Sequence, residues 1–134
     1  MISKEKREII QVLESYSLLL AAEKNLTERI GTLKTEYEMS SGEPELYSND
    51  DVEHLFLFTE YTERLTRIRQ KIEWIERSLS VLPEEEERVL RNEFFDEKSI
   101  PAITENCGKG KSSIYRIRTR ALSHFALGYD GTIV

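Results

Sequence analysis

Two long apolar repeats constrain this chain more than any other feature. The first runs Ile9, Val12, Tyr16, Leu19, Glu23, Leu26, Ile30, Leu33 and Tyr37, with Glu23 its one polar interruption. The second runs Phe58, Tyr61, Leu65, Ile68, Ile72, Ile75, Leu79 and Leu82 without a break. Spacings that alternate between three and four place one apolar seam along a helix, and pairing two such helices is the natural way to bury it. Between the repeats, Ser40-Ser41-Gly42-Glu43-Pro44 supplies stop and turn residues, and Ser48-Asn49-Asp50 supplies helix N-caps. The pattern predicts a long antiparallel helical hairpin, coiled-coil-like, over residues 1–80. Leu13, Leu18, Leu20, Leu55, Phe56 and Leu57 fall outside the seam. Such a surplus implies further burial, either in a homodimer through the hairpin or against the rest of the chain.

Leu82-Pro83 marks a boundary, because proline suits a helix start and disfavours helical geometry in the residue before it. A helix over 84–95 would carry its glutamates in the first turn, where the helix dipole favours them, and would bury Val89, Leu90 and Phe94. Asp96-Glu97-Lys98 reads as a turn, and Ser99 as the cap of a short helix to about 106 with Pro101 in its first turn. Cys107-Gly108-Lys109-Gly110 is the next turn, leading into a last helix over 111–126. The fold class is therefore all-α: the hairpin, a small helical domain over 81–127, and a tail over 128–134.

The net charge of −6 argues against a nucleic-acid partner until its distribution is followed. Residues 1–77 carry 11 basic and 16 acidic side chains, and residues 78–97 two arginines against seven acids. Residues 98–134 reverse the balance with six basic and two acidic side chains, and residues 109–120 hold five basic side chains and no acid. A local basic stripe is the electrostatic footprint of a DNA-reading element, whatever the total charge.

Other classes find little support. No apolar run has the length of a membrane span, and the first residues lead into charged sequence, so no membrane association and a cytoplasmic location are expected. Cys107 is the only cysteine and His54 and His124 stand far apart, which leaves no disulfide or metal framework and no cofactor. Gly110-Lys111-Ser112 imitates the end of a phosphate-binding loop, but Glu105 occupies the place of its first glycine. No catalytic set is visible, and an enzyme is not expected.

Residues 99–125 have the mechanics of a helix-turn-helix. A short helix must cross a longer one closely, and Ile103, Thr104, Gly108, Ile114 and Ile117 stand at spacings that permit it. On the last helix Ile114, Ile117, Ala121 and Phe125 form one face, flanked by Leu122. At 100° per residue, Ser112, Arg116, Thr119, Arg120 and Ser123 fall on the opposite face. Arg118 lies nearer the inward direction and is a candidate partner for the acids at 84–87.

These residues carry a resemblance. The run Leu82-Pro83-Glu84, Glu87-Arg88-Val89-Leu90, Ser99-Ile100, Ile103, Gly108, Ser112-Ser113-Ile114-Tyr115-Arg116 and Arg120-Ala121-Leu122 resembles the promoter-reading C-terminal region, region four, of bacterial sigma factors. Thr104 stands where that family has alanine, and Gly110 where it has a capping serine. An acidic hairpin in front is more similar to phage transcriptional regulators of the ArpU type than to a full sigma factor. The resemblance implies a last helix in the major groove of double-stranded DNA. Together with the helical wheel it implies that Lys109, Lys111, Ser112, Ser113, Tyr115 and Arg116 meet base edges or nearby phosphates, and that Thr119 and Arg120 meet phosphates. The rival expectations are a protein-interaction module that binds RNA polymerase or another transcription protein through the hairpin, and a DNA-recognition subunit of a packaging nuclease.

Overall fold

A computed structural model describes residues 4–40 and 49–128, and the described residues form helices joined by turns and short loops, with no strand. The elements are α1 (Lys4–Glu14), α2 (Tyr16–Ser40), α3 (Asn49–Ser80), α4 (Glu84–Leu90) continuing into a π-helical turn (Arg91–Phe95), α5 (Ile100–Cys107) and α6 (Lys111–Ala126). Among the described residues no helix is long and apolar enough to cross a membrane. The turn read at Ser41, Gly42, Glu43 and Pro44, and the cap read at Ser48, lie outside the described residues, as do residues 129–134.

The chain divides into two compact units, Leu18–Lys71 on one hand and Met1–Ser17 with Ile72–Val134 on the other. This grouping differs from a break near residue 80. The first apolar repeat is interrupted at Ser15, whose N–H reaches both Gln11 O and Val12 O and whose hydroxyl donates to Val12 O at 2.6 Å. A side chain competing for backbone carbonyls in this way bends or breaks a helix. The break frees α1 to join the C-terminal residues, where Ile9, Val12 and Leu13 are buried.

In the larger unit the core is dense. Ile9, Leu13, Ile75, Leu79, Val89, Leu90, Ile103 and Ile114 are completely covered, and α6 packs on α1, α4 and α5. Tyr16 stacks on Phe95 at 3.8 Å between ring centroids, and Trp74 meets Phe125 edge-on at 5.3 Å. A polar brace crosses the same unit. The Tyr16 hydroxyl donates to Glu76, and Arg91 binds Glu76 and Glu87 at 2.8 Å each. The Arg91 guanidinium holds the Glu76 carboxyl below its ordinary value of 4.5 against the opposing effect of burial. The helix expected over 84–95 is present as α4, but its end widens: the Asp96 N–H bonds Arg91 O five residues back, a π-type closure.

The smaller unit is thin. Contacts between α2 and α3 run in opposite directions along the two helices: Glu23 with Arg69 at 3.3 Å, Arg29 with Tyr61 at 3.3 Å and Glu36 with His54 at 3.2 Å. Among its described residues only Leu26 and Leu65 are buried. Ile30, Leu33, Tyr61 and Ile68, all seam residues, are half-covered, and Tyr37 and Phe58 are exposed.

Because Trp74 is the only tryptophan and packs within the larger unit, its fluorescence reports that core. Replacing Ile9 by Ala should lower the stability read by Trp74 in denaturant unfolding by about 2–5 kcal/mol, the usual cost of such a cavity. A transition identical to that of the unaltered protein would show that α1 is not part of this core.

Candidate nucleic-acid interface

The candidate surface is built on α6, and its inner face determines its outer one. Ile114, Ile117, Ala121, Leu122 and Phe125 are all buried. Val89, Ile103, Ile114 and Ile117 form one cluster, with Ile100 and Cys107 packed against it, so the thiol serves as a small apolar filler. Ser99 caps α5 by accepting from the Ala102 N–H at 3.4 Å, and Pro101 sits in the first turn, where no backbone donor is missed. Gly108 ends α5 at φ +66°, a left-handed backbone that lets the chain reverse within two residues. The Thr104 hydroxyl donates to Pro101 O at 2.6 Å within its own helix. Gly110 opens α6 without any side-chain cap.

With the inner face occupied, Ser112, Arg116, Thr119, Arg120 and Ser123 are all exposed, as the helical wheel requires. Their neighbours differ in what they have left to offer. Arg116 makes no ion pair among the described residues. Lys111 is exposed, with its Nζ 5.9 Å from the centre of the Tyr115 ring, which is itself 45% exposed. Ser112 is exposed and Ser113 half-buried. The Thr119 hydroxyl donates to Tyr115 O at 2.9 Å, which leaves it an acceptor rather than a donor toward a phosphate.

Lys109 and Arg120 share an acid that sequence reading did not assign to them. The Lys109 ammonium pairs with Glu85 of α4, and Arg120 Nη2 lies 4.0 Å from the same carboxylate. Lys109 above all holds the Glu85 carboxyl below its ordinary value, so the acid is charged at neutral pH. The stripe at 109–120 is thus basic in sequence but partly matched in space.

The remaining glutamates of α4 take separate partners. Glu84 pairs with Arg88 at 3.2 Å and Glu87 with Arg91 at 2.8 Å. Glu86 is buried at 3% exposure, with both carboxylate oxygens within 2.9 Å of His124 Nδ1. A carboxylate can only accept there, so Nδ1 is the donor. Arg118 pairs with Glu93 at 2.7 Å rather than with residues 84–87, and its guanidinium also lies 5.9 Å from the Phe94 ring. It fastens α6 to the π-helical turn and is withdrawn from the outer face. Glu93 was missed because a helix carried straight through 95 would point it elsewhere; no local residue pattern announces the wider turn.

Among the described residues no group of three or more His, Cys, Asp or Glu side chains could hold a metal ion. No protein-family model, curated protein or solved structure matches the chain, so any functional reading rests on its own residues.

The turn between α5 and α6 can be tested alone. Gly108→Ala meets no steric obstruction but must adopt a left-handed backbone, which costs roughly 1–2 kcal/mol for a residue with a Cβ. Denaturant unfolding should register that loss. Gly110→Ala, at φ −70°, should lose far less.

Proposed function

We propose that this protein is a sequence-specific DNA-binding transcription regulator, in which α5, the turn at Gly108 and α6 act as a helix-turn-helix. The observation that carries the reading is the outer face of α6. It presents Arg116, which makes no ion pair among the described residues, flanked by Ser112, Thr119, Arg120 and Lys111, on a helix whose other face is buried. A rigidly seated helix with a polar, cationic outer face suits the major groove, where arginine can bond guanine O6 and N7 together and serine can reach several base edges.

The roles then divide by position. Lys111, Ser112, Ser113, Tyr115 and Arg116 lie in the first half of α6, the part that enters the groove in this class of reader. Lys109 precedes the helix, and its ammonium together with the uncapped N–H groups at the start of α6 suits a backbone phosphate. Arg120 lies further along and suits a phosphate as well. Glu85 competes with phosphates for both cations, so DNA binding would exchange one acid partner for another.

The region-four-like sequence pattern agrees with this reading, and it extends it to promoter-proximal regulation of the phage ArpU type. In that reading residues of the long α2–α3 hairpin are free for a protein contact, RNA polymerase included, rather than for DNA.

Binding to duplexes selected from a random-sequence pool tests the proposal by fluorescence anisotropy across a salt series. The association constant should fall linearly with salt on logarithmic axes. Arg116→Ala should cost about 1–3 kcal/mol and relax discrimination at one base position, whereas Lys111→Ala should weaken all sequences alike. Glu85→Gln should strengthen binding without sharpening it. If no duplex is retained, or if retention ignores salt and Arg116, the proposal fails.

A further inference from the structure

Two neighbouring residues on the outer side of α6 offer a nucleic acid something other than charge. The Thr119 hydroxyl donates its hydrogen to Tyr115 O at 2.9 Å. That bond draws the oxygen back onto the helix and leaves it no hydrogen for a phosphate or a base acceptor, so the group Thr119 turns outward is its γ-methyl. Tyr115, one turn earlier, keeps 45% of its surface exposed. The Lys111 ammonium lies over its ring, 5.9 Å from the centre. A cation held there keeps the ring alongside the helix and leaves its exposed part to a ligand.

The outer side of α6 is therefore divided lengthwise. Arg116 and Arg120 stand one turn apart toward α4, whose Glu85 lies 4.0 Å from Arg120 Nη2. Tyr115 and Thr119, also one turn apart, form a second row after Lys111, with Tyr115 turned about 100° from Arg116. The first row is cationic and can only donate. The second presents an aromatic ring and a methyl group. Among the four bases thymine alone carries a methyl in the major groove, and a threonine methyl or an aromatic ring packs against it without needing a donor.

We infer that the two rows read two different bases, guanine through Arg116 and the C5-methyl of thymine through Thr119 and Tyr115. This assignment rests on the DNA reading proposed above and adds the second base to it. Arg116 and Thr119 are three residues apart, so their Cβ atoms are about 5–6 Å from each other. That distance covers between one and two base-pair steps of about 3.4 Å. The thymine accordingly lies on either strand within two base pairs of the guanine. A methyl packed against Thr119 and Tyr115 leaves water together with them, whereas a base without it leaves their contacts unfilled. Thr119 then serves discrimination between bases, not the phosphate contact that its place along the helix suggests.

Duplexes selected from a random-sequence pool carry the test. Each thymine of the selected site is replaced singly by deoxyuridine, which removes only the methyl, and binding is followed by fluorescence anisotropy. One replacement, within two base pairs of the position where Arg116→Ala relaxes discrimination, should weaken binding about fourfold, the worth of one methyl-sized group taken out of water. Thr119→Ser keeps the hydroxyl and loses the methyl, and should bind the thymine and deoxyuridine duplexes nearly alike. Thr119→Val keeps a methyl and loses the hydroxyl, and should preserve the preference. Tyr115→Ala should narrow it, and Tyr115→Phe should not. Residues 115 and 119 are both exposed, so these variants should keep the helical circular dichroism of the unaltered protein. Binding indifferent to every thymine methyl would overturn the inference while leaving the DNA reading in place. So would a Thr119→Val variant weakened equally on both duplexes, the mark of a hydroxyl bound to phosphate. A protein that retains no duplex at all overturns the DNA reading and this inference with it.

Discussion

Burial of one face of α6 is the constraint on which the rest of the larger unit depends. Once Ile114, Ile117, Ala121, Leu122 and Phe125 are inside, a period of 3.6 residues leaves Ser112, Arg116, Thr119, Arg120 and Ser123 outside. The inner face is completed by residues distant in sequence: Val89 from α4, Ile103 from α5, and α1, which packs on α6 after the break at Ser15. The break in the first repeat and the left-handed Gly108 serve the same end. Each lets a short helix turn onto α6 instead of continuing along its original axis.

Electrostatics refine what packing establishes. Four successive glutamates begin α4, and because neighbours on a helix point 100° apart they bind four different side chains: Arg88, Lys109, His124 and Arg91. Lys109 belongs to the basic stripe and His124 follows it on α6, and Arg118 of the stripe is held by Glu93. Acid placed around the edge of a cationic helix orients it, and also lowers its attraction for any anion. Among the described residues Arg116, in the middle of the exposed face, and Lys111 make no ion pair. Specificity from one well-placed guanidinium, with a modest general attraction, is what such an arrangement favours over indiscriminate phosphate binding.

Much of this was legible in the residues. Helical periodicity identifies both long helices, Ser99-Ile100-Pro101 identifies the start of α5, and Gly108 identifies its end, because each depends on local geometry that a short stretch determines. The inner and outer faces of α6 follow from spacing alone. What was not legible depends on contacts between distant segments or on departures from ideal helix. Ile9, Val12 and Tyr16 continue the heptad spacing of α2, so nothing local says that they belong to a different core from Leu26 and Leu33. The π-helical turn at Arg91–Phe95 gives no residue signal, and with it Glu93 as partner of Arg118 stays hidden. The glutamate run reads as a solvated helix start, yet Glu86 is buried against His124, a pairing across 38 positions.

The claim that matters most is that the outer face of α6 is where DNA is met, and mapping backbone amide shifts by nuclear magnetic resonance during titration with a bound duplex tests it most directly. The account predicts that the largest changes fall at Lys109, Lys111, Ser112, Ser113, Tyr115 and Arg116, with smaller ones at Thr119 and Arg120 and none centred on residues 18–71. Changes concentrated on α2 and α3, with α6 silent, would contradict it.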